Sequence, residues 1–472
     1  MKTEATRLFA AQAWLDGAWA RDVLLSVSGD GRWSDIQANA ALAARSGATI
    51  LSGPALPGLV NAHSHAFQRA IAGLTERRGS AGAAVSDDFW SWRDRMYSVA
   101  RRVGPEQLEA IAAFLYAELL AGGYTHVCEF HYLHNAADGE PHADPLEMSL
   151  ALVRAAQTVG MGLTLLPTLY MRSGFDASGL REDQRRFAST PDSVLRLVEG
   201  LQAQAGEQSN FNVGVALHSL RAADMAAIRE VSGFAAAQAL PVHIHIAEQT
   251  QEVQDCIAAT GRRPMEHLLS NARLDSHWNL VHATHGTAAE FRAVRESGAA
   301  IVICPGTEAN LGDGVFDLPA YAGGIWSIGS DSHVTRSWTQ ELRLLEYSQR
   351  LTLRRRNVAA HAAGRDSSAA ALFEGALAGA ASATSQPLGA IRVGHRADLL
   401  VLDKQCPALL GVPPEYLLDA LVFSSPDAGF AEVFVAGRCV LSGTRLPGGR
   451  DGQDLWPQLS ERFVRTMKTL WR

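Results

Sequence analysis

Between residues 56 and 333, short apolar runs alternate with longer segments whose apolar positions recur every three to four residues. The first pattern predicts buried strands and the second predicts helices with one buried face. Eight runs stand out: 56–65 (LPGLVNAHSH), 123–132 (GYTHVCEFHY), 162–170 (GLTLLPTLY), 211–220 (FNVGVALHSL), 241–248 (PVHIHIAE), 278–285 (WNLVHATH), 299–312 (AAIVICPGTEANLG) and 324–333 (GIWSIGSDSH). Helical stretches such as PEQLEAIAAFLYAELLAGG and LEMSLALVRAAQTVG lie between them. Near-continuous apolar strands separated by helices predict a parallel sheet, and eight repeats predict its closure into a (β/α)₈ TIM barrel. Longer loops, some rich in Arg and Asp, interrupt the rhythm between the second and fourth runs.

The two ends of the chain have a different texture. LFAAQAWLDGAWARDVLLSVSGDGRW near the start, and 389–403 and 431–443 near the end, read as short strands broken by Gly turns. The expected organisation is therefore a barrel over 56–385 and a small β-sandwich built from 1–55 and 386–450, with a C-terminal helix over 451–472. A chain of 472 residues accommodates a barrel and one small domain. The formal net charge of −7 argues against a nucleic-acid partner. Five cysteines at wide spacings, with no C-x-x-C, indicate neither a disulfide framework nor a cysteine zinc site. No run of apolar residues is long enough for a membrane span, and the start lacks a signal-like apolar stretch. A reducing cytoplasm is the expected setting.

Chemistry concentrates where the runs end. HSH, EFHY, HSLR, HIAE, HATH and SDSH would converge on the C-terminal mouth, where barrel enzymes place their sites. His63 and His65 are two apart, so in an extended segment both imidazoles face one side. Two solvated loop histidines would show the same short pattern. In the fifth run His243 and His245 share a face; His245 is nearer the strand end, three residues before Glu248, and is the preferred ligand. Asp331 follows the eighth run, where an ordinary helix-capping aspartate could also stand. Together, three imidazoles and a carboxylate make an N₃O set suited to one Zn²⁺ with a position open for water. His282 ends the sixth run as a further imidazole beside the metal or orienting its water, with His285 as its decoy. No lysine ends the fourth run to bridge a second ion, so one divalent metal per chain is expected.

PGLVNAHSH, HIAE, VHATH and SDS together resemble the amidohydrolase superfamily and, within it, the deaminase branch. AHSHAFQRAIAGL, DDFWSWRDRMY, AGGYTHVCEFHYLH, ALHSLRA, HIHIAEQ, LVHATH and CPGTEANLGDG resemble more narrowly the family in that branch that hydrolyses N-formimidoyl-L-glutamate. The resemblance covers most of the barrel. It implies water attack at the C=NH carbon, giving N-formyl-L-glutamate and ammonia, and a homodimer. Asp331 would be ligand and base, His282 would orient the attacking oxygen, and Glu248 would protonate the departing nitrogen.

A small dicarboxylate substrate calls for guanidinium groups. Arg221 ends the fourth run. Arg93 follows FWSW, and spacing alone would make it a surface arginine; the resemblance brings it to the substrate. Tyr132 and His218 would add hydrogen bonds to the carboxylates, and Gln68 would bond the formimidoyl group or the nearby amide nitrogen. Trp90 and Trp92 read as core, and the stretch 77–95 as a loop able to close over the site. Other readings are a deaminase of nucleobases or other amidines, a non-catalytic relative, and release of formamide instead of ammonia.

Overall fold

The computed structural model describes residues 6–77, 88–206, 210–425, 429–448 and 453–472. All eight expected strands form: β1 (Leu59–Ser64), β2 (Tyr124–His131), β3 (Gly162–Leu169), β4 (Val215–Ser219), β5 (Val242–Ile246), β6 (Trp278–His282), β7 (Ala300–Ile303) and β8 (Trp326–Ile328). They pair in parallel, in chain order. An additional short strand, Phe211–Val213, also pairs with β3.

The ring closes between the end of β8 and the end of β1. The Asp331 N–H donates to the His63 carbonyl at 3.0 Å, and the His65 N–H donates to the Asp331 carbonyl at 3.2 Å. One turn below, the Asn61 side chain bonds both the backbone N–H and the hydroxyl of Ser330, at 2.9 and 2.6 Å. Gly329 permits this approach, since a Cβ there would lie 2.6 Å from the His63 Cβ. The closing seam thus runs through the residues expected to carry the chemistry.

The other end of the barrel is plugged by the short helix Ala380–Thr384. Its carbonyls accept hydrogen bonds from His243, Asn279, Asn212 and the Cys128 thiol. Helices such as Pro105–Ala121, Glu147–Val159, Pro191–Ala205 and Met225–Ala237 cover the outside. Asp224 caps the last of these through the N–H groups of Ala226 and Ala227.

The chain ends join in one eight-stranded sheet. Thr6–Leu15, Ala18–Val27, Trp33–Gln37, Thr49–Ile50 and Ala55–Pro57 come from the start, and Leu399–Leu402, Phe430–Val435 and Arg438–Ser442 from the end. The halves meet where Ala55–Pro57 runs antiparallel to Leu399–Leu402. Alternation gives the sheet two apolar faces. Leu400 and Leu402 pack into the barrel's core, while Leu399 and Val401 join Leu8, Leu25 and Trp33 in a second, smaller core. The final helix, Trp456–Leu470, leaves this sheet and lies on the barrel, where Phe463 stacks on Phe114 at 4.4 Å.

Candidate active site

Three imidazoles and one carboxylate meet at the closing seam. His65 Nε2 lies 3.3 Å from His245 Nε2, which lies 3.1 Å from His63 Nε2. Asp331 Oδ1 is 3.4 Å from the Nε2 atoms of both His63 and His65. The far sides of two rings assign the protons: His65 Nδ1 donates to the Phe130 carbonyl and His245 Nδ1 to the His218 carbonyl, both at 2.9 Å. Each therefore turns an unprotonated Nε2 inward. Burial lowers the pKa of His63, His65 and His245, so all three stay neutral.

Lone pairs at these separations repel unless a cation lies between them. Metal–nitrogen bonds of about 2.0–2.1 Å in tetrahedral geometry give donor separations of roughly 3.3–3.4 Å. The donor set fits a divalent ion. A Glu129 carboxylate behind the cluster holds the His-Ser-His turn, accepting from Ser64 Oγ at 2.6 Å, the Ala66 N–H at 2.5 Å and the Tyr116 hydroxyl at 3.2 Å.

His282 and Glu248 stand beside this cluster. His282 Nε2 is 3.8 Å from Asp331 Oδ2 and 3.7 Å from Glu248 Oε1. Its other nitrogen, Nδ1, faces Glu308 Oε1 at 3.3 Å, and that oxygen also accepts from the Cys304 N–H at 2.9 Å. Burial opposes charge on His282, but the carboxylates of Glu248, Asp331 and Glu308 outweigh it and raise its pKa to about 10. Burial pushes Glu248 up to about 7, against the pull of His282 and Arg221. A carboxyl held there exists partly as the acid at neutral pH, as proton donation requires.

The backbone is strained at the same place. Ala247, His282, Ala283, Asp331 and His333 all adopt positive φ, from 46° to 70°. Such conformations in non-glycine residues cost of order 1–3 kcal/mol each and gather at functional sites. Here they turn His282 and Asp331 toward the barrel axis at the strand ends.

Above the cluster a small cavity is lined by His65, Gln68, Arg93, Tyr132, His218, Arg221, His245, Glu248, His282 and Asp331, together with Phe89, Trp92, Met96, Tyr97, Tyr170 and Leu311. His63 lies beneath, fully buried. All eleven residues singled out in the sequence therefore surround one space. Arg221 Nη2 is 3.9 Å from Glu248, and the Nε atoms of Arg221 and Arg93 are buried without partners. Gln68 donates to the Tyr132 hydroxyl at 3.1 Å and leaves its Oε1 unpaired. His218 packs edge-on against Tyr170, ring centres 4.1 Å apart.

The alternatives go elsewhere. His243 bonds the Ala383 carbonyl on the barrel floor at 2.9 Å. His285 bonds the Asp313 carbonyl at 2.9 Å. Trp90 and Trp92, expected as core, are half-buried at the cavity: Trp92 lines it, and the Trp90 ring lies 4.4 Å from the Arg93 guanidinium and 5.9 Å from that of Arg221. Their helix, Phe89–Ala100, presents them beside the arginines. Of the stretch 77–95, residues 78–87 lie outside the described residues, including the Arg78-Gly79 pair. Glu308, Tyr97 and Tyr170 had no distinguishing signal in the sequence, although Glu308 stands within CPGTEANLG.

A parallel barrel, a histidine–aspartate cluster at its C-terminal mouth and an adjoining sheet from both chain ends define a metal-dependent hydrolase. Residues 55–440 match the amidohydrolase family, and the chain belongs to that family. It is 45% identical to formimidoylglutamate deiminase of Pseudomonas aeruginosa over 466 residues, 98% of this chain and 99% of that one. The crystal structure of an amidohydrolase from Brucella melitensis superposes with a TM-score of 0.89 at 39% identity, covering 99% of this chain and all of that one. An adenosine deaminase from Xanthomonas campestris, crystallised with bound zinc, shares the fold at a TM-score of 0.78 and 21% identity, over 99% and 98% of the two chains.

Proposed function

We propose that the chain hydrolyses N-formimidoyl-L-glutamate to N-formyl-L-glutamate and ammonia. The observation that carries this reading is the polarity of the cavity. Glu248, His282 and Asp331, able to move protons, share it with the guanidiniums of buried Arg221, 3.9 Å from Glu248, and half-buried Arg93, each with a buried Nε that has no partner. A flat nucleobase offers no pair of carboxylates to such arginines, whereas glutamate offers two.

The ion suited to the N₃O donor set is one Zn²⁺ per chain, and when bound it lowers the pKa of a water toward about 7. Asp331 takes the proton of the attacking water. His282, fixed through Nδ1 by Glu308, orients the incoming oxygen and stabilises negative charge as the carbon becomes tetrahedral. Glu248 delivers its proton to the terminal nitrogen; the proton held by Asp331 then passes to the same nitrogen as the hydroxyl proton returns to Glu248, and the C–N bond breaks to release ammonia and restore both carboxyl groups. Gln68 holds the formimidoyl group, while Arg221, Arg93, Tyr132 and His218 hold the carboxylates. The enclosing rings exclude bulk water, which strengthens each of these contacts.

All five cysteines are unpaired and four are buried, which suits a reducing cytoplasm. No described helix is long and apolar enough to cross a membrane. An ammonia-release assay with N-formimidoyl-L-glutamate, guanine and adenosine tests the assignment. Turnover of the first alone is expected, and preference for either purine would overturn it. Mass spectrometry of the products should find N-formylglutamate; formamide and glutamate would reject Glu248 as donor to the terminal nitrogen.

A further inference from the structure

The two turns that carry the metal-facing residues meet at the weakest joint of the ring. β1 and β8 form no ladder; among the described residues a single bridge, Ser64 to Asp331, joins their ends. β8 is only three residues long, and Asp331 and His333 in the turn after it have φ of 46° and 65°. Such backbone persists only where its surroundings hold it. His63 and His65 reach the cluster from one side of this seam and Asp331 from the other, so any widening of the seam separates the donor atoms.

Glu118, on the covering helix Pro105–Ala121, touches both sides. Its carboxylate takes Arg69 in bidentate fashion, Nε to Oε2 at 2.7 Å and Nη2 to Oε1 at 3.1 Å. Arg69 belongs to the short helix Ala66–Ala70, whose first turn is closed on the His65 carbonyl by the Gln68 N–H at 2.9 Å. The same Oε1 lies 3.5 Å from Arg336 Nε, and Arg336 Nη1 donates to the His333 carbonyl at 2.8 Å. The end of the helix is close to this loop as well: a Cβ on Gly122 would lie 1.9 Å from the Arg336 carbonyl oxygen. The C-terminal helix covers the other flank, with the Phe463 ring centre 5.0 Å from the Arg69 guanidinium and Trp471 Nε1 donating to the Ala70 carbonyl at 3.0 Å.

A second glutamate of that helix shows what is particular to Glu118. Glu109 also sits between two arginines, Arg154 at 2.7 Å and Arg462 at 3.0 Å, and its side chain is about as exposed, 20% against 18%. Its partners belong to the helices Glu147–Val159 and Trp456–Leu470, neither of which lines the cavity. Each carboxylate draws two guanidiniums together, but only Arg69 and Arg336 stand beside the turns that bear metal-facing residues. We propose that Glu118 is a positioning residue for the metal centre. Through Arg69 and Arg336 it holds the His63–His65 turn and the Asp331 turn at one separation, and so sets how tightly the chain retains its ion. Neutralising Glu118 leaves two guanidiniums facing each other across the seam, which adds repulsion to the lost tie. The inference rests on the proposed zinc and not on the identity of the substrate.

The experiment titrates zinc into the metal-free whole chain against a competing chromophoric chelator. The proteins are the parent, Glu118→Gln, Arg336→Met, their double variant and Glu109→Gln. Glu118→Gln and Arg336→Met should each weaken zinc binding about ten-fold, the lower end of what groups behind metal ligands contribute. The double variant should be no more than about two-fold weaker than the weaker single one, because both act through one tie. Glu109→Gln should leave zinc affinity within about two-fold of the parent, whatever it costs in the urea midpoint. Unchanged zinc affinity in Glu118→Gln would overturn the inference. So would an equal loss in Glu109→Gln, since the tie would then serve stability alone, and so would a loss of about a hundred-fold in the double variant, which would mean two independent effects. Should Glu118→Gln fail to fold, Arg336→Met set against Glu109→Gln decides by the same criteria. A parent that binds no zinc would instead overturn the proposed ion, and this inference with it.

Discussion

His243 and His245 sit two residues apart on one strand, face the same barrel interior and are both buried. Burial lowers the pKa of both. Yet His243 Nε2 is matched by the Ala383 carbonyl, whereas His245 Nε2 faces the bare nitrogens of His63 and His65. A related contrast separates the two ends of the barrel, although His243 Nδ1 and Asn279 Oδ1 on the floor are also buried without partners. On the floor, His126 bonds Thr164 at 2.7 Å and Arg396 at 3.0 Å, and Arg396 pairs with Asp398. At the mouth, donor atoms converge on one another, guanidinium nitrogens lack partners and the backbone is strained. A satisfied polar group stabilises the fold; an unsatisfied one at a cavity is available to a ligand.

The sharpest way to break that comparison is to exchange the fates of the two histidines. His245→Ala should remove bound metal and lower kcat/KM by at least about 10³-fold, of the order seen when a catalytic group is lost. His243→Ala should keep the metal and stay within about ten-fold in kcat/KM, but lose roughly 1–3 kcal/mol of stability in urea unfolding. If His243→Ala abolished metal binding, the floor would be part of the site.

Next in size is Glu248→Gln. It keeps shape and removes the proton, so kcat should fall by about 10²–10⁴-fold with metal content unchanged by elemental analysis. Parental kcat would reject the donor assignment.

Arg221→Met or Arg93→Met should act chiefly on KM. Each removes charge-assisted hydrogen bonds worth about 1.5–3 kcal/mol, or roughly 10- to 150-fold. A fall in kcat at constant KM would move that arginine from binding to chemistry.

The smallest effect on activity is expected on the floor. Arg396→Met strands the buried Asp398 carboxylate and should cost about 3–5 kcal/mol of stability, measured by denaturant titration. The kcat of the folded fraction should change less than about two-fold.

The eight strands were legible because each is a short apolar run whose polar residues gather at one end. So was the His63–His65 pair, because strand periodicity places both on one face. The choice between His243 and His245 was only partly legible: period two cannot separate them, and what differs is depth along the barrel. The closure of the ring through the backbone of Asp331 left no trace in the apolar pattern. Neither did Trp90 and Trp92, whose apolar rings are equally at home in a core and beside a guanidinium.

The most direct test is zinc K-edge X-ray absorption on purified, active protein, combined with metal stoichiometry. Expected is one zinc per chain surrounded by imidazole nitrogen and carboxylate or water oxygen at about 2.0–2.1 Å, with no sulfur, and loss of this signature in His245→Ala. Full activity without a divalent metal, or a first shell containing sulfur at about 2.3 Å, would contradict the convergence of His63, His65, His245 and Asp331 on a single ion.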